Sequence, residues 1–152
     1  GKLYGLCLKL CNGRSADAQD LYQETWLKAY RWHGRYNPAQ SFLNWLTRIC
    51  VNTYRDMLRR QKLLRFISPK EPEEQQALLD GIPDGARPEE SIEVRDAVAR
   101  LPEGLRLCVT LYYFYGQSTE ETAGALSLPP GTVKSRLNKA RALLKKELSL
   151  HE

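Results

Sequence analysis

Along most of the chain apolar residues recur at steps of three and four, the period of a helix that buries one face, and the pattern predicts an all-α protein. Residues 2–12 place Leu3, Leu6, Cys7 and Leu10 on one side. This segment is short for a first helix and reads as the end of a longer one. A second helix is expected from Ser15 or Asp17, either of which can cap it, to about Trp32, with Gly34 as its stop. Its apolar side takes in Leu21, Trp26 and Tyr30. A third helix runs to about Leu64 from one of two competing starts. Asn37-Pro38-Ala39-Gln40 resembles a capping box with proline at the first helical position, and Ser41 can cap one turn later. Phe42, Trp45, Leu46, Ile49 and Thr53 mark its core side.

The second half of the chain repeats the helical period in shorter pieces. A helix over 89–100 is broken by Leu101-Pro102-Glu103-Gly104, and another follows over 103–115 with Leu105, Val109, Tyr112 and Tyr113 on its buried side. Tyr112, Tyr113, Phe114 and Tyr115 form an aromatic run that could stack on bases, although helical spacing favours packing. Ser118 to Ala123 then leads through Leu128-Pro129-Pro130-Gly131 into the run TVKSRLNKARALLKKEL. A short helix, a tight Pro/Gly turn and a basic amphipathic helix make a helix-turn-helix, the device that places side chains in a DNA major groove. In its second helix Val133, Leu137, Ala140 and Leu144 form the packing face, and Lys134, Arg136, Lys139, Arg141, Lys145 and Lys146 lie mostly off it. Ala123, Gly124 and Ala125 are small enough to let the two helices approach closely.

Charge divides this helical chain into blocks. Residues 1–66 carry 12 Lys/Arg against 4 Asp/Glu, residues 67–93 carry 2 against 8, and residues 94–152 carry 9 against 6. The acidic middle is punctuated by Pro69, Pro72, Gly81, Pro83, Gly85 and Pro88, so 67–88 reads as a linker between a domain over 1–66 and another over 89–152. Each flanking unit has roughly 60 residues, near the lower limit for a core that stands alone. No apolar run approaches the ~20 residues that span a bilayer, and no charged-then-apolar leader opens the chain. A soluble, cytoplasmic protein without membrane insertion is expected. Cys7, Cys11, Cys50 and Cys108 sit within apolar helical patterns and read as buried reduced thiols; with only His33 and His151 beside them, no metal or other cofactor is expected.

Two polar surfaces remain to be explained. On the second helix Asp20, Gln23, Glu24, Lys28 and Arg31 follow steps of three and four, which taken alone fits a solvated face. On the third, Arg48, Asn52, Arg55, Arg59, Arg60 and Lys62 concentrate positive charge on the exposed side, as a nucleic-acid footprint or an ordinary basic surface would.

DAQDLYQETWLKAYRWHGRYNP with SFLNWLTRICVNTYRDMLRRQ, followed after an acidic linker by LPEGLRLCVTLYYFYGQSTEETAGALSLPPGTVKSRLNKARALLKKEL, resembles a bacterial RNA polymerase sigma factor of the extracytoplasmic-function (ECF) group of the sigma-70 family. The resemblance covers nearly the whole chain except the linker, with its motifs in the family's order. It implies a region 2-like domain, N-terminally incomplete, and a region 4-like helix-turn-helix domain. Asp20, Gln23 and Glu24, with Lys28 less firmly, match the face that docks on core polymerase. Asn52 matches the position that reads an unpaired base of the melted −10 element, where an amide can both donate and accept, and Arg48, Arg55, Arg59 and Arg60 would neutralise phosphates of the separated strand. In the reader helix Lys134, Ser135, Asn138 and Lys139 match the positions that face base edges of the −35 element, Lys suiting guanine and Asn adenine. Thr132, Arg136 and Arg141 are better placed for phosphates.

The resemblance implies a promoter-specificity subunit with core RNA polymerase, promoter DNA and an anti-sigma factor as partners, and no catalytic residues of its own. Its acidic linker would thread the polymerase cleft. Three departures from the family pattern bear on the reader. Ser127 stands where the turn commonly has glycine and predicts a strained turn, and Thr119 and Thr122 replace larger apolar residues and predict looser packing. Two other functions stay open: a helix-turn-helix regulator that works without polymerase, which leaves the first domain's polar face unused, and a sigma mimic that sequesters an anti-sigma factor, which has no need of the basic reader helix. An enzyme is the weakest reading, since no phosphate-cradling glycine loop and no nucleophile paired with a base is present.

Overall fold

A computed structural model describes residues 1–67 and 92–149. The linker expected over 67–88 lies outside the described residues save for Ile67, as do the expected helix start at 89 and His151. Two compact units divide the chain, Gly1–Asp84 and Gly85–Glu152. Among the described residues the regular elements are all helical.

In the first unit α1 (Lys2–Leu10), α2 (Ser15–Arg31) and α3 (Phe42–Ile67) pack on one another, with a 3-10 turn over His33–Arg35. Leu3, Leu6, Cys7 and Leu10 face Ala18, Leu21, Thr25 and Ala29 of α2 and Leu46, Ile49, Cys50, Val51, Thr53 and Tyr54 of α3. The buried α2 positions are small apart from Leu21, and this lets the helices approach. Trp26 and Tyr30, expected on the apolar side, are 41% and 84% exposed. The buried seam runs through Ala18, Leu21, Thr25 and Ala29, which turns Trp26 to the edge, against Tyr22, and Tyr30 outward. Buried Thr25, Thr47 and Thr53 donate their hydroxyls to the carbonyls of Leu21, Leu43 and Ile49, each at 2.7 Å, so each hydroxyl hydrogen is taken up within its own helix.

The helix ends differ in detail from the expected caps. Asn12, at φ +55°, closes α1 in a Schellman motif, with Gly13 N–H donating to Leu8 C=O and Asn12 N–H to Lys9 C=O. That turn delivers the chain to α2 with Arg14 at the cap position, and neither Ser15 nor Asp17 caps α2 through its side chain. Gly34 does not stop α2 by a left-handed turn. Trp32 ends it, its N–H donating to Lys28 C=O, and the 3-10 turn follows with Arg35 N–H donating to Trp32 C=O. Of the two candidate starts for α3, Ser41 caps the helix, its Oγ accepting from Asn44 N–H at 3.3 Å, whereas Asn37 Oδ1 accepts from Ala39 N–H and shapes the preceding turn. Phe42, assigned to the core, is 46% exposed and sits with Tyr36 and Trp45 in an aromatic cluster at the helix start.

The second unit comprises α4 (Ile92–Ala99), α5 (Glu103–Val109), a π turn (Thr110–Phe114), α6 (Thr119–Leu126) and α7 (Pro130–Ser149). Val133, Leu137 and Ala140 of α7 insert among Leu105, Leu107, Cys108, Val109 and Leu111, and among Ala123, Ala125 and Leu126 of α6. The expected helix over 103–115 is not uniform. Its last turn is widened, with Tyr115 N–H donating to Thr110 C=O. Leu111, one turn after Leu107, is buried as in a regular helix, while the widened turn carries Tyr113, expected inside, to 46% exposure. Gly124 lies outward, with open space where a Cβ would stand, so the close approach of α6 and α7 rests on Ala123 and Ala125 without it.

Ser118 and Glu121 form a reciprocal capping box at the start of α6, a spacing plain in the sequence. At its other end Ser127 adopts φ +56°, and Leu128 N–H donates to Ala123 C=O at 2.9 Å in a second Schellman motif. The left-handed backbone expected to strain this turn is present. Thr122, expected to loosen α6, is fully buried with its hydroxyl unpaired. Both residues carry a cost that substitution can remove. Ser127→Gly and Thr122→Val are each expected to stabilise the second unit by about 1 kcal/mol, measured as an increased denaturant midpoint at unchanged slope. An unchanged midpoint would show that the backbone strain or the buried hydroxyl costs nothing.

All four cysteines are buried thiols, and Cys7 and Cys50 bring their sulfurs to 3.7 Å between α1 and α3. The hydrogen bond with Cys50, together with burial, pushes the Cys7 thiol far above its ordinary range, away from the reactive thiolate. Among the described residues no group of three or more His, Cys, Asp or Glu could hold a metal ion. Ellman's reagent is expected to leave the folded protein unmodified over minutes and to titrate four thiols after denaturation. Rapid labelling of the native state would mean that one of these cores opens readily.

Candidate nucleic-acid and docking surfaces

The reader helix α7 is fixed in rotation by its buried residues. With Val133, Leu137 and Ala140 facing inward, Lys134, Ser135, Asn138 and Lys139 come to the opposite, exposed face as a contiguous patch. Pro130 occupies the first helical position and Thr132 lies half-exposed in the first turn. Arg136 takes another course. Its guanidinium lies over Gly104 at the start of α5, where an added Cβ would stand 3.0 Å from Nη1. The structure thus separates Arg136 from the outward patch, because its position borders the packing face. Arg141 donates through Nε to the hydroxyl of Tyr113 and through Nη1 to Asn138 Oδ1 at 2.7 Å, with its guanidinium 5.5 Å from the Tyr113 ring centre. Sequence reasoning missed Tyr113 as part of this surface because the widened turn that exposes it has no periodic signature. Arg100 pairs with Glu147, tying α4 to α7.

On α3, Arg48, Asn52, Arg55 and Arg59 follow one another at steps of four, three and four and lie along one line. Arg48, Asn52 and Arg59 are exposed, Arg55 is half-buried, and Arg60 is exposed to one side. Asp56 stands at the edge of this stripe, 3.3 Å from Arg59 and 3.7 Å from Lys28. One carboxylate therefore serves two cations, one from each helix.

On α2 the structure divides the four predicted docking residues. Asp20 and Gln23 are exposed and Glu24 is half-buried, whereas Lys28 turns to α3 and donates to Thr53 Oγ1 at 3.2 Å beside Asp56. In its place Leu27 and Tyr30, 59% and 84% exposed, continue the line from Asp20 and Gln23. The surface is acidic and polar at one end and apolar at the other. Its signal was present in the sequence as the spacing Asp20, Gln23, Leu27, Tyr30, a heptad-like line of its own.

Two helical units, one carrying a helix-turn-helix with a cationic outward face, define a DNA-binding protein of the kind that reads a site with a single helix. Comparison with known proteins gives the family. Residues 1–63 match Sigma-70 region 2, and residues 91–144 match Sigma-70, region 4. The chain is 34% identical to the RNA polymerase sigma-H factor of Pseudomonas aeruginosa, over 97% of this chain and 80% of that protein. It is 36% identical to the ECF RNA polymerase sigma-E factor of Escherichia coli, over 84% of this chain and 71% of the other. A solved structure of the sigma factor RpoE in complex with the anti-sigma factor NepR, from Bartonella quintana, superposes with a TM-score of 0.77 at 22% identity, covering 99% of this chain and 91% of that one. The chain belongs to the ECF group of sigma-70 family RNA polymerase sigma factors. No helix among the described residues is long and apolar enough to cross a membrane.

The inward turn of Lys28 has a measurable consequence. Lys28→Ala removes its bond to Thr53, its ion pair with Asp56 and the cover of its stem, and is expected to cost roughly 1 kcal/mol of first-unit stability in urea. Gln23→Ala is expected to leave the midpoint where it was. Equal effects would place both residues in one class.

Proposed function

We propose that this chain directs core RNA polymerase to promoters by three surfaces: the Asp20–Tyr30 line of α2 for polymerase, the Arg48–Arg60 stripe of α3 for the melted −10 strand, and the outward patch of α7 for the −35 element. The observation that carries the reading is the α2 line. A solvated helix face has no reason to hold Leu27 and Tyr30 in water beside Asp20 and Gln23, while a face that docks on another protein does. That line also disfavours a regulator that works on duplex DNA alone, because such a protein leaves it without use.

Chemistry follows from these placements. Asp20, Gln23 and Glu24 supply charge and hydrogen bonds at the rim of the polymerase contact, and Leu27 and Tyr30 its apolar centre. Asn52 captures a base that has left the stack, which offsets part of the few kcal/mol lost per unstacked base. Arg48, Arg55, Arg59 and Arg60 neutralise the phosphates beside it. Lys134, Ser135, Asn138 and Lys139 meet base edges, while Thr132 and Arg141 take phosphates at the two ends of the patch. No bond is made or broken by this chain. It works in the cytoplasm, with catalysis supplied by the polymerase, and an anti-sigma factor restrains it. Support for such a partner comes from the complex with NepR and from a second solved neighbour, CnrH in complex with the cytosolic domain of CnrY.

Transcription from a promoter library by core polymerase, with and without the protein, tests the whole reading. Initiation must depend on the added chain. Leu27→Asp is expected to weaken polymerase binding at least tenfold and to leave DNA binding by the second unit unchanged. Asn52→Ala is expected to impair opening of a duplex promoter more than binding to a pre-melted one. Undiminished polymerase affinity in the first variant, or equal losses in the second, would remove the corresponding surface.

A further inference from the structure

Asparagine at a DNA-facing position ordinarily reads adenine, because its carbonyl accepts from N6 while its amino group donates to N7. Both atoms must be presented together to one base edge. In α7 the carbonyl is already engaged: Asn138 Oδ1 accepts from Arg141 Nη1 at 2.7 Å. Guanidinium can only donate, so the atom facing it must be the oxygen, which fixes the otherwise ambiguous orientation of the amide. The two Nδ2 hydrogens then point away from Arg141. Oδ1 keeps a second lone pair, but an adenine amino group brought to it would meet the donors of Arg141.

Arg141 is itself held from outside the reader helix. Its Nε donates to the Tyr113 hydroxyl, and its guanidinium lies 5.5 Å from the centre of the Tyr113 ring. Tyr113 reaches this place because the π turn over Thr110–Phe114 turns it outward. Two of the five guanidinium hydrogens are used in these bonds, and the others remain available for a phosphate. The chain from Tyr113 through Arg141 to Asn138 is a support that sets the amide before DNA arrives.

We infer that Tyr113 and Arg141 hold Asn138 as a donor-only reader, so that this position selects a keto edge, guanine O6 and N7 or thymine O4, and disfavours adenine. The inference rests on the proposed placement of α7 in the −35 element and specifies the base chemistry read there. Tyr113 is a positioning residue, acting on the base through Arg141 and Asn138.

The test is selection of −35 sequences from a randomised promoter pool by holoenzyme assembled from the full chain and core polymerase. Asn138→Ala identifies the base position that depends on Asn138, by loss of preference there alone. At that position the unmodified chain is expected to favour guanine or thymine over adenine by roughly tenfold. Tyr113→Phe keeps the ring and loses the hydroxyl. Arg141→Lys keeps the charge and loses the planar fork. Each is expected to raise the share of adenine at that one position severalfold and to leave preferences elsewhere in the element unchanged, a readout that general loss of packing would not give. Adenine preference in the unmodified chain, or unaltered preference in both support variants, overturns the inference while leaving the placement of α7 intact. A pool from which no −35 sequence is enriched overturns both.

Discussion

Rotation of α7 about its own axis is the constraint on which the DNA-reading half of this protein depends. Val133, Leu137 and Ala140 are almost wholly buried, and a helix so anchored cannot turn without exposing them. Their burial is what makes Lys134, Ser135, Asn138 and Lys139 a surface and not merely four polar residues. The supports are short: α6 has 8 residues and α5 has 7. Such helices are marginal alone and hold their shape only by packing. Caps therefore matter here out of proportion to their size, and α6 has both a capping box and a Schellman turn.

The first unit solves a related problem by other means. Three helices must approach closely to make a core from about 60 residues, which favours small side chains at their contacts. Threonine supplies three of them and returns each hydroxyl hydrogen to a carbonyl of its own helix, which leaves the Thr53 oxygen able to accept from Lys28 of α2. With the interior settled in this way, the long outer faces of α2 and α3 are available for other molecules. Asp56 then draws Lys28 and Arg59 together and lowers the positive charge at one end of the α3 stripe.

The helical class, the reader helix and its packing face were legible because they depend on period and on Pro/Gly turn chemistry, which a sequence states directly. Val133, Leu137 and Ala140 are the clearest instance. What escaped depended on a change of period or on a partner distant in sequence. A regular helix would put Tyr113 in the interior, and the widened turn brings it out. Hydrophobicity alone places Trp26 and Tyr30 inward, whereas the smaller Ala18, Thr25 and Ala29 carry the seam with Leu21. Lys28 looked like a surface cation because Asp56 and Thr53, which hold it, come from another helix.

The widened turn before α6 also bears on how such a protein can diverge. A π turn contains one residue more than the α-helix would use over the same span, and it can arise by inserting a single codon and vanish by losing one. Losing one residue ahead of Tyr113 would swing that side chain by about 100° around the helix axis while the residues of α7 stay the same. A lineage can therefore retune what its reader helix contacts by a length change in a neighbouring scaffold, with no exchange among the residues that touch DNA.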